Sequence, residues 1–159
     1  MGAGKSAIGR ALARRLKYEF HDTDAEVQRR TGVDIAYIFE RENEAGFRAR
    51  ERQVVAELVM RPGIVLATGG GLILDPDNRV DLAANGTVIY LQASVAQQLS
   101  RTRNRTHRPL LDTPDPERRL AELLAIREPL YREIAHHVVN TDGRRVHDVV
   151  RTILSLNDA

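Results

Sequence analysis

Met1-Gly2-Ala3-Gly4-Lys5-Ser6, running on into Ala7-Ile8-Gly9-Arg10, opens the chain and decides its fold class. Gly-x-Gly-Lys-Ser leading into an apolar helix is most of a P-loop, a turn whose backbone N–H groups point inward around phosphate oxygens. In such a loop the lysine reaches the β- and γ-phosphates and the Ser or Thr hydroxyl binds Mg²⁺. The helix that follows adds the positive end of its dipole. A simple glycine turn would explain the glycines but not Lys5-Ser6 at the head of a helix. The full pattern, G-x-x-x-x-G-K-[ST], places its first glycine ahead of Met1 and its feeding strand earlier still. The chain is therefore expected to lack that N-terminal strand, through truncation or a late start.

Outward from the loop, apolar spacing predicts helices and short strands in alternation. Ile8, Leu12 and Leu16 give a helix over 5–16. A strand is predicted at Tyr18–His21, then a helix capped by Asp24 and running to Gly32. Helices follow over 34–41 and 44–60, the second with Phe47, Val54, Val55, Leu58 and Val59 as its buried stripe. Ile64-Val65-Leu66-Ala67 reads as a strand covered on both faces. Helix 77–85, strand 87–91 and a Ser94-capped helix to about Arg103 come next. Residues 104–115 have no period. A helix over 117–135, expected to kink or split at Pro129, a strand at Val138-Val139 and a helix over 146–156 complete the chain. With no repeat and no linker, residues 1–159 form one domain. The alternation implies a parallel α/β sheet with helices on both faces, whose ligands bind beyond the carboxyl ends of the strands.

Composition narrows the partners. Of 159 residues, 24 are Lys or Arg and 22 are Asp or Glu, a net charge of +2. A weak overall charge with local arginine clusters favours small anionic ligands over a nucleic acid. Cysteine is absent, so neither disulfides nor thiolate metal sites arise. No apolar run reaches the length of a membrane span and there is no signal-peptide core, so a cytoplasmic protein is expected.

Four further stretches carry chemistry, and each follows a predicted strand or lies on a helix beside one. Asp22-Thr23-Asp24 offers two carboxylates, one for Mg²⁺ through water beside Ser6 and one for a substrate hydroxyl. The lesser alternative is that Asp24 serves only as a helix cap. Arg48 and Glu51 share a helix face, and periodicity alone favours a weak surface ion pair. Thr68-Gly69-Gly70-Gly71 places three glycines after a buried strand, which suggests a backbone approached closely by a ligand. Arg101 to Leu111 is basic and aperiodic: a solvated loop, or a lid over 102–115 whose arginine covers a transferring phosphoryl group. An RNA contact would call for interleaved aromatics, which are missing. The five histidines are too scattered for a metal site.

Taken together and in order, MGAGKS-x-IGR, F-x-D-x-D, GFR-x-RE, LATGGG, RPLL and R-x-PLY resemble the shikimate kinases. The resemblance covers the chain apart from the missing N-terminal strand. It implies a three-layer P-loop kinase fold with a parallel sheet of order 2-3-1-4-5, here without strand 1, and ATP-dependent phosphorylation of the 3-hydroxyl of shikimate. It also implies that Gly2, Ala3, Gly4, Lys5, Ser6 and Ala7 bind ATP, and that Ser6 and Asp22 serve Mg²⁺. Asp24 becomes the candidate base. Arg48 and Arg127 clamp the shikimate carboxylate, with Glu51 orienting Arg48. Gly69, Gly70 and Gly71 line the substrate, Arg108 is the lid arginine, and Arg144 or Arg145 lies on the adenine side. The expected partners are shikimate and ATP, with no nucleic acid or membrane, and a monomer is expected. Ala7 stands where the family usually has Thr. Two rival readings are a gluconate-kinase-like enzyme and an inactive fragment lacking its central strand.

Overall fold

The computed structural model describes residues 2–102 and 113–157. Seven α-helices and four short strands alternate along these residues: α1 (Lys5–Leu16), β1 (Glu19–Asp22), α2 (Thr23–Thr31), α3 (Ile35–Leu58), β2 (Ile64–Ala67), α4 (Pro76–Asn85), β3 (Ile89–Gln92), α5 (Val95–Thr102), α6 (Pro116–Ile134), β4 (His137–Asn140) and α7 (Val146–Asn157). A 3₁₀ turn at Leu72–Leu74, which the periodicity does not reveal, joins β2 to α4.

The strands form two parallel pairs, β1 with β2 and β3 with β4. An order of 2-3-1-4-5 without strand 1 leaves just these pairs, 2-3 and 4-5, so the topology is the one expected. Side chains alternate across each strand. On β2, Val65 packs with α1 and α7, whose Ile8, Leu12, Val149, Val150 and Ile153 form one core, while Ile64 and Leu66 pack on the opposite side with Val27, Ile38, Phe47, Val54 and Leu58 of α2 and α3. On β3, Ile89 and Leu91 join the first core. Tyr90 turns the other way and stacks on Tyr131 of α6, ring centroids 5.1 Å apart. Helices thus cover both faces of both pairs. Parallel pairing puts the carboxyl ends of each pair at one end, where Asp22, Thr68, Ser94 and Thr141 leave the strands.

β2 has both faces covered as expected, yet only its Ala67 is fully buried. The reason is lateral: a cavity of about 520 Å³ separates the facing edges of β2 and β3 and is lined by Ile64 to Thr68, Thr87 to Leu91, Leu12 and Ile153. Along those edges no strand among the described residues takes up the ladder.

Several local expectations shift. β1 lies one residue later than predicted, because its last residue, Asp22, caps α2: its carboxylate accepts the Asp24 and Ala25 N–H groups. Asp24 is therefore inside the helix and is not the cap. The two helices read over 34–41 and 44–60 are one element broken at Asn43 (φ 58°, ψ −172°), whose side chain caps the second half through the Ala45 N–H. Pro129 does not split α6, which runs unbroken through it. Leu120, Leu123 and Arg127 bury that helix ahead of the proline, and this packing outweighs one lost backbone hydrogen bond. His136 has a plain structural use, its Nδ1 accepting the Val88 N–H.

The cavity makes a direct prediction. Extending the chain upstream by about a dozen residues that carry an apolar strand should fill the slot, pairing two edges and burying several side chains at about 1.5–3 kcal/mol each. A rise in melting temperature on the order of 10 °C is expected by calorimetry; an unchanged midpoint would mean that the cavity closes without a strand.

Candidate functional site

The P-loop begins at the residues that make α1 possible. Gly4 caps α1 with φ 86° and Gly2 has φ 68°, a region costly for any residue with a Cβ. Gly2 is also pressed against α5, where a Cβ would meet the backbone of Gln98. Arg101, one turn further along α5, donates to the Gly2 carbonyl (3.1 Å) and to both the hydroxyl and the carbonyl of Thr141 (3.1 and 2.8 Å). That arginine ties the P-loop to the loop after β4. Sequence reading placed Arg101 only at the start of a basic segment; its one signal was its position on a helix after a strand.

Ser6 donates to Asp22 Oδ2 at 2.7 Å. The other oxygen, Oδ1, holds the first turn of α2. A hydroxyl and a carboxylate oxygen side by side at a P-loop are hard donors suited to Mg²⁺. That ion commonly takes one or two protein oxygens and completes its octahedron with water and phosphate. Among the described residues no group of three His, Cys, Asp or Glu could hold a metal by protein ligands alone, which agrees with so sparse a donor set.

Thr23, with no exposed surface, carries the connection onward. Its hydroxyl accepts the Gly69 N–H at 2.8 Å and fastens the triple glycine to the start of α2. Thr23, the middle residue of Asp-Thr-Asp, gives no sequence signal of this role, because a hydroxyl between two carboxylates has no periodic signature. Around this anchor the site's charged side chains converge. A Cβ on Gly69 would strike Glu51 and Asp24, and one on Gly71 would strike the Arg48 guanidinium. These two glycines therefore leave room for the site's own side chains, a more specific reason than ligand approach alone.

Arg48 and Glu51 are no surface pair. Glu51 is 0% exposed and accepts from Arg48 Nη1 at 2.6 Å, while Glu44 takes the Nε and Nη2 side at 3.2 and 3.0 Å. Periodicity could not show this, since it identifies a shared face but not what that face meets. Burial pushes the Glu51 carboxyl above its ordinary range, with Arg48 and Arg127 opposing and Asp24 reinforcing the rise. Burial pulls the Arg48 guanidinium down, but Glu51 and Glu44 outweigh it and hold it above its usual value. Arg127 is 5% exposed, and its Nε has no hydrogen-bond partner, as has Oε1 of Glu51. Buried polar atoms without partners carry a desolvation penalty of about 1–3 kcal/mol, so such atoms in a site are candidates for ligand contact. Tyr131, one turn beyond Arg127, donates to the Gly70 carbonyl at 2.5 Å.

The predicted residues thus fall into one connected site: Gly2 to Ser6, Asp22, Asp24, Arg48, Glu51, Gly69 to Gly71 and Arg127. Ala7 lies beside it on α1, exposed. Arg144 stands apart from its centre, donating to Asn140, Asp148 and Thr152. Its N–H reaches the Thr141 carbonyl, which Arg101 also holds. Arg108 and most of the expected lid lie outside the described residues. The arrangement can bind phosphate at one end and, at the other, a small anion bearing a hydroxyl, with a carboxylate between them.

A family model described as shikimate kinase matches residues 1–157. The shikimate kinase of Methylococcus capsulatus is 54% identical over 155 residues, covering 98% of this chain and 87% of that protein. That of Halorhodospira halophila is 56% identical over 154 residues, with 97% and 87% covered. Among solved structures, shikimate kinase from Acinetobacter baumannii in complex with shikimate superposes with a TM-score of 0.96 at 48% identity, over 99% of this chain and 88% of that one. Shikimate kinase from Bacteroides thetaiotaomicron gives 0.91 at 29% identity, over 100% and 94%.

The crowding at the triple glycine is testable by stability alone. Gly69→Ala and Gly71→Ala should each lose about 1–3 kcal/mol in urea unfolding, as overpacked sites do. Gly86→Ala, where a Cβ meets nothing, should stay within about 0.5 kcal/mol.

Proposed function

Because the chain belongs to the shikimate kinase family, we propose that it transfers the γ-phosphoryl group of ATP to the 3-hydroxyl of shikimate. The product, shikimate 3-phosphate, lies on the route to chorismate and the aromatic amino acids. The observation that carries this reading is the placement of Asp24 and Arg48 against the glycine loop, with Arg127 near the Glu51 that holds Arg48, directly beside a P-loop whose Ser6 touches Asp22.

Each role follows from chemistry. Shikimate is a small carboxylate with three hydroxyls. Arg48 and Arg127 supply cations for its carboxylate, and the unpartnered Arg127 Nε supports a ligand at that point. Glu51 keeps Arg48 in place and offsets part of the buried positive charge. Asp24 accepts the proton of the attacking hydroxyl, and Gly69 to Gly71 present backbone to the substrate. Gly2 to Ala7 enclose the ATP phosphates, Lys5 on the β/γ oxygens. Ser6 and Asp22 would hold Mg²⁺, which neutralises phosphate charge when bound. Arg108 would supply positive charge to the transferring group, and Arg144 borders the adenine side through the Thr141 loop that Arg101 links to Gly2. Phosphoryl transfer asks the protein mainly for positioning and charge, which is what these residues provide. No described helix is long and apolar enough to cross a membrane. The protein acts as a monomer in the cytoplasm, on small molecules and not on nucleic acid.

Coupled ADP release with shikimate, and none with gluconate, is the expected result; turnover of gluconate alone would overturn the reading. Arg48→Lys and Arg127→Lys should raise the KM for shikimate about tenfold or more while leaving that for ATP in place, since each loses bidentate geometry. Asp24→Asn should lower kcat by about 10²–10⁴-fold, the usual contribution of a general base.

A further inference from the structure

Three glycines in succession have no side chains with which to hold themselves, and an unanchored run loses more entropy on ordering than any other tripeptide. In this chain the run is held from outside. Thr23 fixes it at the Gly69 N–H. The second anchor comes from a different element: the Tyr131 hydroxyl donates to the Gly70 carbonyl. Fixing that carbonyl fixes the plane of the peptide joining Gly70 to Gly71, and with it the direction of the Gly71 N–H.

Tyr131 is itself well held. Its ring stacks on Tyr90 of β3, and Arg132 lies over the Tyr90 ring at 5.9 Å. It sits four residues after Arg127, so a guanidinium and a phenol share one face of α6. Burial raises the phenol above its ordinary value, with Arg127 opposing, so the hydroxyl stays protonated as a donor in the neutral range.

We propose that Tyr131 is a positioning residue for the substrate: through Gly70 it sets the backbone that reads shikimate and locks that backbone to the helix carrying Arg127. The inference rests on the function proposed above. A change in the tilt of α6 would move the carboxylate clamp and the hydroxyl-reading backbone together, which keeps their spacing matched to one ligand.

Tyr131→Phe removes only the hydroxyl. The KM for shikimate should rise about three- to tenfold, as for one neutral hydrogen bond, with kcat changed less than about threefold and the KM for ATP unchanged. Tyr90→Phe, on the other ring of the stack, should leave both KM values in place. In ¹⁵N-resolved NMR without ligand, the Gly70 and Gly71 amide signals should move in Tyr131→Phe. Unmoved signals, or an unchanged KM for shikimate, would overturn the proposal. So would equal losses toward shikimate and ATP with a lowered melting temperature, the mark of a merely structural role. Wild-type protein that releases no ADP with shikimate would instead fail the functional reading, and the anchor would then be decided by the amide signals alone.

Discussion

A single carboxylate at the end of β1 joins the two halves of the site. One oxygen of Asp22 accepts from Ser6 on the P-loop, and the other caps α2. Because the cap fixes where α2 begins, it also fixes Thr23, whose buried hydroxyl holds Gly69. Asp24 follows in the same turn and reaches the glycine loop. The P-loop serine, the cap of α2 and the carboxylate beside the glycine loop are therefore registered by three consecutive residues. N-capping contributes about 1 kcal/mol to a helix; here it also registers one subsite against the other.

The second subsite is held by charge in a buried place. Glu51 and Arg127 are both nearly inaccessible, and Arg48 is mostly so. Burying such groups is costly unless they are paired and hydrogen-bonded, and replacing them by apolar residues often stabilises a protein. Fold stability is thus a poor reason for this cluster. Its unpaired atoms, Glu51 Oε1 and Arg127 Nε, mark it as prepared for a polar ligand. Arg48 and Arg127 face the carboxylates of Glu51, Glu44 and Asp24, and their planar guanidinium donors are the groups suited to the small carboxylic acid of the family's reaction.

The glycine loop shows how packing and recognition share residues. Gly69 and Gly71 are small because Asp24, Glu51 and Arg48 occupy the space their side chains would need. Thr23 and Tyr131 then supply from α2 and α6 the order that glycine lacks. The Tyr90–Tyr131 stack extends that support to β3, so one loop is braced by elements belonging to both strand pairs. The bracing spans the cavity between β2 and β3, at the end of the sheet where the ligands belong.

Much of this was legible in the sequence, because its signals are local. Gly-x-Gly-Lys-Ser before an apolar helix specifies a phosphate-binding turn, since glycine geometry and the helix dipole act within a few residues. Helical spacing and short apolar runs located the described strands and α-helices to within a few residues, and the ordered motifs identified the family. Tertiary structure decided what depends on a partner distant in the chain. Whether Arg48–Glu51 is a surface pair or a buried one turns on what covers α3. Asp22, not Asp24, caps α2 through its Oδ1, a local bond, but that its Oδ2 also meets Ser6 on the P-loop is decided by the fold. Pro129 sits inside an intact helix because the packing of Leu120, Leu123 and Arg127 ahead of it outweighs one lost hydrogen bond. Thr23, Arg101 and Tyr131 left no trace in periodicity, since each acts on a backbone atom between 40 and 99 residues away. Sequence alone determined which chemical groups are present and on which elements; only the fold decided which of them share a charge, a hydrogen bond or a space.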